Sequence, residues 1–191
     1  MSASEPADLG QSRDVTPDSG APGSGRVSLV THNDLNQGRA TVTNPTNVDL
    51  KAPVVSKHQV VIDAPLAVVW NLHTDVNDWT TWQTDITDAH IEGQMQPGNS
   101  FEWTSYNFPV RSTVYEVTDS QRVLWGGTAD GITGIHEWLF AETPKGVQVT
   151  TTESFSGEPV DADPAAMQGM LDSSLSAWLA HLKLAAEAKA Q

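Results

Sequence analysis

An imidazole and a carboxylate facing each other across a β-hairpin are the residues of this sequence best suited to chemistry. The stretch Gly131 to Gly157, GITGIHEWLFAETPKGVQVTTTESFSG, reads as two strands folded back on a tight turn. Strand side chains alternate between faces. Ile132, Gly134, His136, Trp138 and Phe140 therefore share one face of the first strand, and Val147, Val149, Thr151, Glu153 and Phe155 one face of the second. Taking Thr143-Pro144-Lys145-Gly146 as a four-residue loop, with Glu142 opposite Val147, puts Phe140 opposite Val149, Trp138 opposite Thr151 and His136 opposite Glu153. A neighbouring carboxylate holds one tautomer of an imidazole and raises its pKa. The free ring nitrogen can then move protons on a ligand. His136 is the candidate general acid/base and Glu153 its orienter. The competing reading is a buried polar pair, bonded to each other and to water.

The same face supplies candidate ligand contacts. Trp103, Trp125 and Trp138 should all point inward. Flat aromatic walls suit a planar apolar ligand, and they equally suit an ordinary core. Val114, Phe140, Thr151 and Phe155 join them by alternation. Tyr106, Asn107 and Ser112 offer polar contacts between neighbouring strands, while Arg111 and Tyr115 should face solvent. Trp79 and Trp82 read as packing against the sheet edge. His73 and Asp75 lack a third ligand, so they read as a surface pair and no metal site is expected. HExxH, GxSxG, phosphate-loop and GxGxxG patterns are absent.

The elements that must position these groups follow in order. Val54 to Asp63 is β-branched and strand-like. Asp63 can cap a short helix to His73, with Pro65 in its first turn, and a loop or second short helix runs to Trp82. Strands are expected at 86–92, 100–104, 110–118 and 122–128. Pairing Thr118 with Gln121 puts Val114 opposite Trp125. The opening hairpin follows. Asp163 and Pro164 start a long helix to about Lys189, on which Met167, Leu171, Ser174, Leu175, Trp178 and Leu182 form one apolar stripe. That stripe is the natural cover for a curved sheet.

The chain has 191 residues, a net charge of −14, a pI near 4.5 and no cysteine. The field repels phosphate backbones, so nucleic acid is not an expected partner. Disulfides and thiol chemistry are excluded. No apolar run reaches the roughly 20 residues of a membrane span, and no secretory signal is visible, so membrane insertion is not expected and a cytoplasmic location is the default. Residues 1–50 read as a disordered or loosely docked tail, with Val27–Val30 as a short docking strand. Residues 51–191 read as one domain.

The order of elements and the segments IDAPLAVVW (62–70), TDVNDWTTW (74–82), RVLWGG (122–127), GIHEWLF (134–140), TTTESFSG (150–157) and LSAWLAHLK (175–183) resemble the START/Bet v 1-like (SRPBCC) superfamily, in its polyketide cyclase/dehydratase-type branch. The resemblance covers about Pro53 to Lys189. It implies an α+β helix-grip fold: a curved seven-stranded antiparallel sheet wrapped around a long C-terminal helix, with two short helices after the first strand and a hydrophobic cavity between. Met167, Leu171 and Trp178 would then face that cavity. The superfamily holds cyclases, lipid carriers and chaperone activators, and fold alone does not choose among them. The first expectation is a cofactor-independent cyclase or dehydratase acting on a hydrophobic, aromatic or polyketide-like small molecule. The second is a non-catalytic carrier or sensor, the third a protein-interaction module.

Overall fold

The computed structural model describes residues 43–191. The docking strand expected at Val27–Val30, and most of the expected tail, lie outside the described residues. The chain runs β1 (Val54–Ile62), α1 (Leu66–Thr74), a 3-10 helix (Val76–Thr81), β2 (Ile86–Ile91), β3 (Ser100–Ser105), β4 (Phe108–Thr118), β5 (Arg122–Ala129), β6 (Ile132–Thr143), β7 (Gly146–Ser156), α2 (Glu158–Ala162) and α3 (Pro164–Lys189). The seven strands form one antiparallel sheet in the order β1-β7-β6-β5-β4-β3-β2. The long helix α3 packs along β1 and against α1. This is the helix-grip α+β architecture.

The β6–β7 register follows the sequence reading: His136 pairs with Glu153, Trp138 with Thr151 and Phe140 with Val149. The turn is tighter than a four-residue loop, because Thr143 itself pairs with Gly146 and only Pro144 and Lys145 lie between. Gly146 has φ +115°, and a Cβ there would lie 2.1 Å from the Ile62 carbonyl oxygen, so the position requires glycine. Val114 does oppose Trp125, by a different route. Thr118 pairs with Arg122 rather than Gln121, and a bulge at Tyr115 restores the offset.

Two helix starts contrast. Asp163 caps α3 as expected, its carboxylate accepting from the Ala166 N–H at 3.0 Å. Asp63 does not cap α1. Pro65 is the cap residue, and its carbonyl accepts from Val68 and Val69 while the Asp63 N–H donates to Glu187 Oε1. Proline carries no side-chain acceptor, so α1 starts without a side-chain cap. Helix α2 escapes a periodicity reading because it has five residues and a single buried side chain, Val160.

On the outer face Arg122 ties β5 to both neighbours. Its guanidinium lies 2.6 Å from Glu116 and 2.7 Å from Glu137, and donates to the Thr46 carbonyl. Removing it leaves two carboxylates without their shared partner. Arg122→Leu is expected to cost about 2 kcal/mol in urea unfolding; a change below about 0.5 kcal/mol would mean that solvent screens the cluster completely.

The main core lies between the sheet, α1 and the C-terminal half of α3, around Trp79, Trp138, Phe140, Trp178 and Leu182. A smaller cluster, Val54, Val160, Leu171 and Leu175, closes the other end under α2 and the start of α3. The candidate site lies on the inner face between these two clusters.

Candidate functional site

A cavity of about 350 Å3 opens between β3–β7 and the first half of α3. Its wall is overwhelmingly apolar, with Trp103, Trp125, Phe155, Leu171 and Trp178 as the large surfaces. Tyr106, Phe108 and Met170 are exposed at its rim, which marks the mouth. Of the residues expected at the site, Glu153, Trp103, Trp125, Tyr106, Ser112, Phe155, Met167, Leu171 and Trp178 line this cavity.

His136, Trp138, Val114, Phe140 and Thr151 share the inner face but lie in the packed core rather than at the wall. The reason is depth along the strands. Toward the far ends of β6 and β7, helix α1 closes directly on the sheet. There Trp138 stacks on His73 with centroids 4.4 Å apart, and Phe140 meets Trp70 edge-on at 5.2 Å. Alternation assigns a face; it does not say which part of that face the helices leave open.

His136 therefore stands behind Glu153 as seen from the cavity. It is 1% exposed. Its Nε2 lies 2.6 Å from Thr151 Oγ1, and its Nδ1 is 3.3 Å from Glu153 Oε2 without an aligned hydrogen bond. Burial pushes the Glu153 carboxyl up to about 8. Burial, and then the proximity of His73, hold His136 well below the ordinary imidazole value. The expectation that the carboxylate raises the histidine is thus reversed. Desolvation of both partners outweighs an attraction across 3.3 Å with poor alignment, so both groups rest neutral at pH 7.

Ser112 is buried, and its hydroxyl accepts from the Trp103 indole N–H at 3.1 Å, which fixes that ring against the wall. Tyr106 occupies the β3–β4 turn at φ +49° and is half exposed. Desolvation and the adjacent Asp85 push its hydroxyl up. Arg111 faces solvent, paired with Glu102 at 3.0 Å.

His73 is not the surface residue its position beside Asp75 implied. It is fully buried on α1 among Trp79, Trp138 and Phe140, and burial lowers it to about 3. Trp79 is also fully buried, donating to the His73 carbonyl at 2.9 Å. Among the described residues no cluster of three or more His, Asp or Glu side chains is arranged to hold a metal.

Of the other wall positions, Gly127, Pro159 and Met170 were not singled out from sequence, while Gly134 and Ser174 were placed on inward faces without a role toward a ligand. The glycines carried a signal: they continue the inward parity of Trp125 and His136, so they mark bare patches on the inner face. Pro159 arrives on α2, which had no legible pattern.

Residues 53–187 match the family described as polyketide cyclase / dehydrase and lipid transport, and the chain belongs to it. No curated protein sequence matches the chain. Among solved structures it is similar to a Helicobacter pylori protein, at 21% identity and TM-score 0.59, over 70% of this chain and 86% of that one. It is also similar to the di-domain ARO/CYC StfQ from the steffimycin biosynthetic pathway, at 11% identity and TM-score 0.61, over 72% of this chain and 51% of StfQ. A third, DynU16 of the dynemicin biosynthetic locus, aligns at 18% identity and TM-score 0.55, over 68% of this chain and 45% of that one. At these identities the likeness speaks to the fold. No helix among the described residues is long and apolar enough to cross a membrane.

Proposed function

We propose that this protein binds a hydrophobic, aromatic or polyketide-like small molecule in the cavity, in the cytoplasm, and catalyses its cyclisation and dehydration by acid–base chemistry. One observation carries the reading: the Glu153 carboxyl, its pKa pushed up by burial, stands on an otherwise apolar, tryptophan-rich wall. The other ionisable wall residues, Asp130 and Tyr106, lie in turns at the mouth.

In this reading Glu153 takes the role first given to His136. The protonated carboxyl donates its proton to a carbonyl oxygen as a ring carbon adds to that carbonyl carbon. The resulting carboxylate takes the proton released by the enol of the adding carbon; the re-formed carboxyl then protonates the new hydroxyl, which leaves as water while the proton of the adjoining carbon returns to the carboxylate. His136, neutral and tied to Thr151, packs behind it. The tryptophans confine the chain in a folded, reactive shape.

The family description includes lipid transport, which favours a second reading in which the same cavity only carries its ligand. Native mass spectrometry of the purified protein separates the two. The expected result is an uncharged aromatic or polyketide-like ligand whose mass falls by one water on incubation with the protein. Recovery of the ligand unchanged at every time point supports the carrier. A protein that never retains or quenches on any apolar ligand defeats both.

A further inference from the structure

Three glycines stand close together on β5 and β6, Gly126, Gly127 and Gly134, and the last two line the cavity. A Cβ on Gly126 would lie 2.4 Å from the Gly134 carbonyl oxygen, and one on Gly127 would lie 2.1 Å from the Arg111 carbonyl oxygen. Both are clashes with backbone, so at these positions the strands themselves leave no room for a side chain. Gly134 is different. The nearest atoms to its Cβ would belong to side chains, Glu153 Oε1 at 3.2 Å and Phe155 Cε1 at 3.3 Å, and its φ lies outside the left-handed region that demands glycine. Gly134 pairs with Phe155 on β7, and Gly134, Glu153 and Phe155 all line the cavity. What a side chain here would occupy is the space directly over the Glu153 carboxyl.

We infer that Gly134 is the specificity-determining position of the cavity: its bare backbone keeps the Glu153 carboxyl open to an uncharged hydrogen-bond acceptor on the ligand. The inference rests on the reading that the cavity binds a hydrophobic small molecule, and it adds where the polar end of that molecule is read. The lining contains no lysine, arginine or histidine. Its ionisable members are Glu153, Asp130 and Tyr106, none of which offers a cation to an anionic headgroup. His136 of β6 lies behind the carboxyl and is held neutral, and the α3 residues of the wall, Met167, Met170, Leu171, Ser174 and Trp178, do not titrate at ordinary pH. A ligand carboxylate or phosphate would enter an apolar, negatively biased site and leave its charge unpaired. A ketone or other neutral oxygen would accept the Glu153 proton in a hydrogen bond at no such penalty.

Three probes that share one planar tricyclic skeleton test this: fluorene, 9-fluorenone and fluorene-9-carboxylate. Each is titrated into the full chain at pH 7, with quenching of the tryptophans as readout. The parent protein is expected to bind fluorenone about tenfold more tightly than fluorene, with the carboxylate weakest. In Gly134→Ala the methyl group covers the carboxyl, so the fluorenone advantage should vanish while fluorene affinity changes by less than about threefold. Circular dichroism and thermal unfolding confirm the fold. If that variant does not fold, Gly134→Ala combined with Phe155→Leu relieves the ring contact; measured against Phe155→Leu alone, it should likewise lose the fluorenone advantage over fluorene. Equal binding of fluorene and fluorenone by the parent overturns the inference and leaves hydrophobic binding standing. So does tight binding of the carboxylate, or an undiminished ketone preference in the alanine variant. Failure of all three probes to bind defeats the binding reading itself, and this inference with it.

Discussion

Glu153→Gln is expected to lower turnover of the cavity's substrate by two to four orders of magnitude, the usual contribution of a positioned acid–base group. The amide keeps the shape and still donates a hydrogen bond, so binding of a neutral ligand should fall far less than the rate. The pH dependence gives a second, independent readout. The folded carboxyl titrates at about 8, against an ordinary value of 4.5. Activity that needs the protonated form should therefore fall as the pH rises through about 8, and the variant should lack that limb. Stability follows the same window. Between about 4.5 and 8 the fold holds a proton that the unfolded chain has released, so stability declines as the pH rises, by at most about 5 kcal/mol. Glu153→Gln should remove that decline and be the more stable protein at pH 8. A variant that unfolds with the parent's pH profile would show that Glu153 is ionised and solvated in the fold. Flattened stability with no loss of turnover would confine its role to holding ligand.

The hairpin shows how far the sequence could be read, and where reading stopped. Its register came from alternation together with the polar turn, because a slip of one residue would have sent Trp138, Phe140 and Val149 outward. The α3 cap and stripe were legible for similar reasons: Asp163-Pro164 is a strong start signal, and buried Leu171, Leu175, Trp178 and Leu182 repeat at helical spacing. The roles within the His136–Glu153 pair were not legible. Which partner meets the ligand depends on where α1 and α3 separate from the sheet, and that is a matter of side-chain volumes on three elements. The charge state was not legible either. Two groups that would charge each other in water are both neutralised when surrounding tryptophans remove the solvent. His73 was misplaced because its neighbour Asp75 is exposed, whereas α1 turns His73 toward Trp138. The nine-residue α1 is too short for its periodicity to settle that choice.

His73 carries the second large expectation, His73→Leu, and here the substitution should stabilise. The imidazole is fully buried, and neither ring nitrogen has a hydrogen-bond partner. Two unpaired polar atoms in a dry core are unfavourable by about 1–3 kcal/mol. Leucine removes both while nearly filling the volume, at the loss of ring contacts with Trp138 and Phe140 that contribute about 1 kcal/mol. The Trp79 indole keeps its partner, since it donates to the backbone carbonyl of residue 73. At neutral pH the net gain should be about 1 kcal/mol. Acid widens it. The unfolded histidine takes a proton below 6.5, but the folded one does not until about 3. Parent stability therefore falls as the pH drops from 6.5 toward 3, with a ceiling of about 5 kcal/mol from this group alone. The variant should lose that part of the slope and keep the part contributed by His136. Urea unfolding at pH 7 and pH 4.5 measures both effects. A variant less stable than the parent at pH 7, with the acid slope unchanged, would mean that His73 is hydrogen-bonded or charged in the fold. The opposing trends of Glu153 and the two histidines also place the parent's stability maximum in mildly acidic solution, at about pH 6.5. Polar groups held neutral on the inner face thus set the pH range over which the core remains closed.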